Sequence, residues 1–326
     1  MDNAKGYKAF NPGMICKDKQ YAENTDYEEV GGTICEKCMM HYCVNPFDVL
    51  NFYDLVDESG NFSDFAEVKA LDQPISGSYG KFSTKKLHIG AKLSFAEFIK
   101  TCIDYTKEQT IVNMPKSDVT TGDSAKIGSS GYSAKIGSSG YSAQIGSSGD
   151  SAQIGSSGYY AKIGSSGYYA KIGSSGYSAK IGSSGDYAKI GSSGDSAKIG
   201  SSGDYAQIGS SGDYAKIGSS GDSAQIGSSG DSAKIGSSGD SARIGSSGDY
   251  AQIDSTGVDS VICCAGHGCT VKAKIGSWIT LAEWEYSEEK GRSVPRCVKT
   301  EYVDGEKIKA DTRYRLENGE FVEVDG

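Results

Sequence analysis

The sequence predicts a mainly β protein, in which a nonapeptide-repeat β-solenoid of about 18 residues per coil lies between two end domains. First, the unit Ala-x-Ile-Gly-Ser-Ser-Gly-[Asp/Tyr]-[Ser/Tyr] recurs every nine residues from Ala125 to Ile253. Second, the 326 residues include 45 glycines and are only 37% hydrophobic, which excludes one ordinary globular core. Third, both ends lack the repeat and carry their own helix and turn signals. We predict an α+β N-terminal domain or cap (1–115), the solenoid (116–276) and a β-hairpin C-terminal cap (277–326).

The spacing within the repeat predicts a short strand followed by a sharp turn. Alanine and isoleucine stand two residues apart, so an extended segment points both inward and the residue between them outward. The glycines of GSSG permit positive φ at a reversal, and the serines are typical of turns. A nine-residue ring is too tight for a row of isoleucines, which favours two repeats per coil. The predicted core is Ile127, Ile136, Ile145, Ile154, Ile163, Ile172, Ile181, Ile190, Ile199, Ile208, Ile217, Ile226, Ile235, Ile244 and Ile253. A flexible Gly/Ser linker is the alternative, but it has no need for isoleucine at every ninth position.

The eighth position of the repeat is tyrosine early in the array and aspartate later. Stacked aspartates repel one another, and relief is expected from lysine three residues on, from solvent or from a bound calcium ion. The repeat departs from the nonapeptide calcium motif, which favours solvated turn charges. We expect the early tyrosines either to bind a partner or glycan or to pack on the N-terminal domain, which we favour. They are Tyr132, Tyr141, Tyr159, Tyr168 and Tyr177.

The N-terminal domain carries two helix signals. Asn45-Pro46 is an N-cap followed by a proline, which predicts a short helix through Leu55. Ser94 to Glu97 reads as a capping box, and the apolar positions that follow form one stripe. We expect this second helix to pack on strands near 65–71 and 86–92 and to cap the solenoid.

The end of the array is gradual. Val261-Ile262 and Thr270-Val271 keep the nine-residue phase after GSSG is lost, which predicts about one further coil. Asp304-Gly305 and Asn318-Gly319 predict hairpin turns in a small β cap. Such a cap protects the open edge of the array.

Two groups of cysteine and histidine have the chemistry of metal ligands. Cys35, Cys38, His41 and Cys43 are candidate zinc ligands, although no second Cys-x-x-Cys completes them. The stretch from Cys263 to Cys269 resembles a second half. Buried free thiols are the favoured alternative. We expect no cofactor, with zinc and calcium as the open alternatives.

The remaining motifs do not indicate catalysis. The three histidines lie in no nucleophile motif, and no glycine loop has a phosphate-binding sequence. Ten aspartates cancel nine lysines and Arg243 within the repeats, so nothing indicates nucleic-acid binding. There is no signal peptide and no apolar run that predicts a membrane span. The nine cysteines are odd in number and all lie outside the repeats, which favours reduced thiols in a cytoplasm; a phage particle would escape this inference.

The ends resemble a known family. Residues 32–53, GTICEKCMMHYCVNPFDVLNFY, and residues 65–70, FAEVKA, resemble an uncharacterised N-terminal domain of phage and gut-bacterial proteins. That domain usually reads Cys, Gly-Phe-His, Cys, then Pro, Val and Tyr-Tyr, and nonapeptide-like repeats follow it. The tail segments GSWITLAEW (276–284) and DGEKIK (304–309) resemble the ending of the same family. Cys38-Met39-Met40 departs from the usual Gly-Phe before His41. The resemblance implies a phage setting and no activity.

We therefore expect a non-enzymatic structural or multivalent binding protein on a rigid solenoid, phage-encoded as the resemblance implies and self-associating as a homo-oligomer. Its partner is an unidentified protein or small molecule. The alternative is a protein that sequesters a ligand or ion, such as an anti-defence decoy. Ice binding is less favoured, because lysine or arginine holds the outward strand position in ten of fifteen repeats.

Overall fold

The computed structural model describes residues 4–29, 39–56, 61–77, 80–109, 117–120 and 122–324. The chain is mainly β, and about 6% of it is helical. A β-rich N-terminal domain is followed by a solenoid of about nine coils, which confirms the predicted fold class.

The N-terminal domain is built on an antiparallel sheet in the order β4-β9-β6-β1-β5-β8-β7. Its strands are β1 (Lys5–Phe10), β4 (Thr25–Glu28), β5 (Met40–Cys43), β6 (Asp64–Ala70), β7 (Ile75–Ser76), β8 (Lys81–Thr84) and β9 (Lys86–Leu93); β2 (Ile15–Cys16) and β3 (Lys19–Gln20) form a separate ribbon. One face of the sheet packs a core around Phe10, Tyr42 and Leu87. The other face packs against two helical segments.

Both predicted helices are present, and the first is shorter than predicted. Asn45 caps a 3-10 helix, Pro46–Asn51, by accepting a hydrogen bond from the Phe47 amide at 3.1 Å. This helix ends at Asn51, four residues before Leu55, where the short helix was expected to end. The second helix, α1, spans Phe95–Gln109, and the predicted capping box is confirmed by the Ser94 amide donating to Glu97 at 2.8 Å.

Each coil of the solenoid contributes one strand to each of two parallel sheets. The strands are β10 (Ser117–Thr120), β11 (Lys126–Ser129), β12 (Lys135–Ser138), β13 (Gln144–Ser147), β14 (Gln153–Ser156), β15 (Lys162–Ser165), β16 (Lys171–Ser174), β17 (Lys180–Ser183), β18 (Lys189–Ser192), β19 (Lys198–Ser201), β20 (Gln207–Ser210), β21 (Lys216–Ser219), β22 (Gln225–Ser228), β23 (Lys234–Ser237), β24 (Arg243–Ser246), β25 (Gln252–Ser255), β26 (Val261–Cys264) and β27 (Thr270–Lys272). Even-numbered strands form one sheet, the even sheet, and odd-numbered strands form the odd sheet. Ile127 lies opposite Ile145, so equivalent residues stack 18 positions apart, as predicted.

The interior is a ladder of isoleucine, alanine and serine. All fifteen predicted isoleucines are buried, none more than 4% exposed. The first serine of each GSSG also points inward, since it lies two residues after isoleucine in the strand. In the early repeats its hydroxyl accepts a hydrogen bond from the second glycine amide, as in Ser138 and Gly140 at 3.3 Å, whereas in most later repeats, such as at Ser201 and Ser219, the buried hydroxyl has no hydrogen-bond partner among the described residues. The expectation that both serines lie in turns was therefore wrong for the first of the pair.

The glycines of GSSG do not supply the positive φ that we predicted for them. In the described part of the array, positive φ falls instead on the ninth residue of the later repeats, such as Tyr187 at 55° and Ser196 at 56°. The second glycine is needed for a different reason. A Cβ on Gly212 would overlap the carbonyl oxygen of Gly194, one coil earlier. These glycines permit the backbones of successive turns to touch.

The C-terminal cap is continuous with the even sheet. β28 (Trp278–Ser287) pairs in parallel with β26, and β29 (Arg292–Tyr302) then pairs antiparallel with β28. On the odd sheet, β30 (Arg313–Glu317) and β31 (Glu320–Glu323) form a hairpin. Its turn is the predicted Asn318-Gly319, with both φ values positive. Asp304-Gly305 forms a loop rather than a hairpin turn, in which Asp304 accepts from three following amides.

Candidate functional site

The two sheets present outer surfaces of the same composition, but only one is covered. In each strand the first residue and the glycine point outward. On the odd sheet the glycines are buried, as in β17 and β19. On the even sheet the equivalent glycines are exposed, as in β16 and β18. The difference arises because the N-terminal domain lies along the odd sheet.

Helix α1 fills the glycine column of the odd sheet. Ile103 lies over Gly146 and Gly164, Ile99 over Gly164 and Gly182, and Phe95 over Gly200. The opposite side of the helix packs on the N-terminal sheet, where the rings of Phe65 and Phe98 stack with centroids 3.8 Å apart. The helix therefore packs on the predicted strands. It docks on the side of the array, so the expectation that it caps the end was wrong.

Two aspartates of the N-terminal domain meet the lysine column of the odd sheet. Lys162 donates to the Phe47 carbonyl at 3.1 Å and lies 3.5 Å from Asp48. Asp54 pairs with Lys198, and with Lys216 at 3.3 Å. Burial alone raises the pKa of Asp54, but the two lysines together lower that pKa below its ordinary value. The docked interface is thus apolar along the glycines and charge-paired along the lysines.

Lys180 lies between these ion pairs and has no carboxylate partner among the described residues. Burial, and then the charges of Lys198 and Lys162, lower the pKa of Lys180 from 10.5 to about 7. The unfolded chain therefore takes up this proton at a higher pH than the folded chain does. The resulting penalty on folding is present at pH 7 and is lost as pH rises towards 10.5.

Lys180→Gln is expected to raise the melting temperature at pH 7, and the gain should shrink as pH approaches 10. The matched control is Lys189→Gln, because Lys189 is exposed on the even sheet nine residues later. Differential scanning calorimetry of both variants between pH 6 and 10 measures the difference. If the change in melting temperature depended on pH equally in the two variants, the lowered pKa of Lys180 would be contradicted.

The uncovered surface is a shallow trough along the even sheet, which we call the open face. It has a volume of about 1340 Å³ and runs from β12 to β26. Its floor is the glycine column, and in Gly155, Gly173, Gly191, Gly209, Gly227 and Gly245 a Cβ would meet nothing within 4 Å. Its rim is Lys135, Gln153, Lys171, Lys189, Gln207, Gln225 and Arg243. The four cations make no ion pair with the described residues.

The five predicted tyrosines lie on the corners between the sheets and are all exposed. Tyr141, Tyr159 and Tyr177 form the expected stacked ladder, with ring centroids 5.6 and 5.0 Å apart. Tyr168 packs on Tyr169 and Tyr187, whereas Tyr132 is 68% exposed. These exposures correct the expectation that the tyrosines pack on the N-terminal domain. Whether they bind a partner stays a prediction.

The aspartate columns are held by backbone hydrogen bonds. The backbone amide of Asp204 donates a hydrogen bond to Oδ1 of Asp186 at 2.9 Å. The same bond recurs from coil to coil along both corners of the solenoid, and the last donors are the amides of Val258 and His267. Each carboxylate thus accepts an amide from the next coil. The stacked carboxylates therefore have a backbone amide of the next coil as their hydrogen-bond partner, and not the side chain of the lysine three residues on.

The cysteine and histidine groups do not assemble in the described part of the chain. Cys35 and Cys38 lie outside the described residues, whereas His41 and Cys43 lie on β5. Burial raises the pKa of Cys43 to about 12. In the second group Cys263 is exposed and Cys264 and Cys269 are buried. No set of three potential ligands comes together in the ranges described.

A cleft in the N-terminal domain was not anticipated from the sequence. It has a volume of about 260 Å³, and its lining includes Lys8, Cys16, His41, Cys43 and Tyr53. The Lys8 ammonium is buried and donates to the His41 carbonyl at 3.0 Å, and the Tyr53 hydroxyl lies 2.8 Å from the Cys16 sulfur. Burial lowers the pKa of Lys8. Lys8, Cys16 and Cys43 lie on three different strands, so no local motif in the sequence indicated this cleft.

Within the described residues, no helix is long and apolar enough to cross a bilayer. No curated protein and no solved structure matches the chain. One family model matches part of it, which supports the resemblance of the N-terminal residues to a family without a known role. The phage or gut-bacterial setting stays a prediction. Over residues 4–101 the chain is similar to the family described as Domain of unknown function (DUF7666).

Proposed function

We propose that this protein is a non-enzymatic binding scaffold, in which a rigid β-solenoid presents its open face to a partner protein. The observation that carries the proposal is the contrast between the two outer surfaces. Identical strands bind the N-terminal domain on the odd sheet and bind nothing of the described chain on the even sheet. An exposed apolar trough rimmed by polar and charged side chains marks an interaction site.

The repeated strand makes the scaffold multivalent and adjustable in length. Each added pair of repeats lengthens the open face by one β spacing, about 4.8 Å, without a new core design. The near-identity of the repeats supports growth by unit duplication. A phage-encoded origin and self-association are part of this proposal.

The test uses the full-length protein as bait in an extract of the cells in which it is made. The control bait carries Gly173→Leu and Gly209→Leu, which fill the trough where no atom lies within 4 Å. We expect a protein that the wild type retains and the filled variant loses. An identical set of retained proteins for both baits would rule out the open face as the binding surface.

The cleft around Lys8 favours a second candidate, the sequestering of a small anionic ligand by the N-terminal domain. A buried lysine with a lowered pKa in a cleft is a common feature of ligand sites. Calorimetric titration with nucleotides, repeated on Lys8→Met, tests it. Silence across the panel, or binding that Lys8→Met leaves intact, would count against this candidate.

A further inference from the structure

The occupant of the odd sheet shows what kind of element this repeated surface accepts. Phe95, Ile99 and Ile103 are spaced by four residues and face the glycines of successive coils. Four helical residues rise about 6 Å, slightly more than the ~4.8 Å between coils. A helix inclined to the array axis therefore places one apolar residue over each coil. The surface therefore selects an α-helix with an apolar residue at every fourth position.

The open face offers the same register to a second helix. Its strands repeat the x-Ile-Gly-Ser pattern of the odd sheet, and Ile136 stacks on Ile154 as Ile127 stacks on Ile145. Its length from β12 to β26 is about 34 Å, which an inclined helix of about 28 residues spans at four residues per coil. A Cβ at any even-sheet glycine from Gly155 to Gly245 would meet nothing within 4 Å, so the floor of the trough is open to an apolar side chain of a bound helix.

The charged residues beside the glycine column further specify the helix that the open face would bind. On the odd sheet, Asp48 and Asp54 approach the lysines that flank the glycine column. On the open face the cations are Lys135, Lys171, Lys189 and Arg243, and the rim contains no acidic residue. A helix with carboxylates beside its apolar stripe complements this rim. A second copy does not, because two open faces would bring cations against cations.

We propose that the open face binds an acidic amphipathic α-helix of a partner protein, with isoleucine or phenylalanine at every fourth residue. This inference rests on the proposed function and specifies its partner. The helix lies along the glycine column as α1 lies along the odd sheet, and its carboxylates pair with the lysine and arginine rim.

The probe is a fluorescent peptide with the sequence of residues 94–109, carrying Lys100→Glu and Lys107→Glu to make it acidic. Its anisotropy is measured against the full-length protein. We expect saturable binding, weakened at least about tenfold by Gly191→Leu with Gly209→Leu in the protein. Asparagine in place of Ile99 and Ile103 in the peptide should abolish binding, and added salt should weaken it.

The protein variants carry their own control. Tyr132→Leu changes an exposed corner outside the open face, so it should retain binding, and circular dichroism of both variants checks that the fold is intact. Lys171→Glu with Lys189→Glu in the protein should weaken binding of the acidic peptide more than binding of the peptide that keeps Lys100 and Lys107. Absence of binding, or binding that the filled trough leaves unchanged, overturns the inference. A concentration-dependent dimer that Gly191→Leu abolishes would instead identify a second copy as the occupant.

The result separates this inference from the proposed function. If the extract yields a partner that requires the open face while the peptides do not bind, the scaffold stands and the helical occupant is wrong. If the peptides bind and the extract yields no such partner, the surface chemistry stands and the biological role fails.

Discussion

Gly212→Ala is expected to destabilise the solenoid by more than about 3 kcal/mol, whereas Gly209→Ala should leave its stability nearly unchanged. The two glycines lie three residues apart in the same repeat. A Cβ on Gly212 would overlap the carbonyl of Gly194 and crowd the Asp195 amide, and both belong to backbone that cannot move away. A Cβ on Gly209 would enter the open face and meet nothing within 4 Å.

Thermal unfolding followed by circular dichroism measures both variants. Because every coil repeats the contact, Gly221→Ala should reproduce the loss seen in Gly212→Ala, and Gly227→Ala should reproduce the tolerance of Gly209→Ala. Equal stability in the two classes would show that the turns do not stack as closely as described.

Gly200→Leu is expected to release the N-terminal domain from the odd sheet while the solenoid stays folded. A side chain at Gly200 would press on the rings of Phe95 and Phe62, which are held by the domain behind them. Overpacking of this kind costs about 1–3 kcal/mol. Undocking of the N-terminal domain from the odd sheet would relieve this strain. Gly191→Leu, one repeat earlier on the open face, is the matched control.

Hydrogen exchange of α1 and limited proteolysis report the undocking. In Gly200→Leu the amides of α1 should exchange faster than in the wild type, and the domain should be cleaved from an intact solenoid. Protection of α1 that is the same in Gly200→Leu and Gly191→Leu would contradict the docking on the odd sheet.

Local sequence information was sufficient for the repeated unit. The Ala-x-Ile spacing predicted which residues point inward, and all fifteen isoleucines are buried. The 18-residue coil followed from the space that a row of isoleucines needs, and the register of Ile127 on Ile145 confirms it. The capping box at Ser94 and the turn at Asn318-Gly319 were predictable because each is made by neighbours along the chain.

Contacts between coils were not predictable in the same way. Glycine in a turn usually signals positive φ, but Gly212 is glycine because Gly194 lies against it from 18 residues away. The aspartate ladder likewise depends on an amide of the next coil, which no pattern within one repeat reveals. The inward serine could have been found, since it stands two residues after isoleucine in the same strand.

By itself, the sequence determined the architecture of the array, because each strand, turn and core position is specified within nine residues and then repeated. Only the tertiary structure decided that the two sheets differ in exposure. The strands of β17 and β18 have the same sequence, Lys-Ile-Gly-Ser, yet one is covered by α1 and the other is open. Docking of a distant helix breaks the symmetry of the repeats, and that asymmetry creates the candidate site.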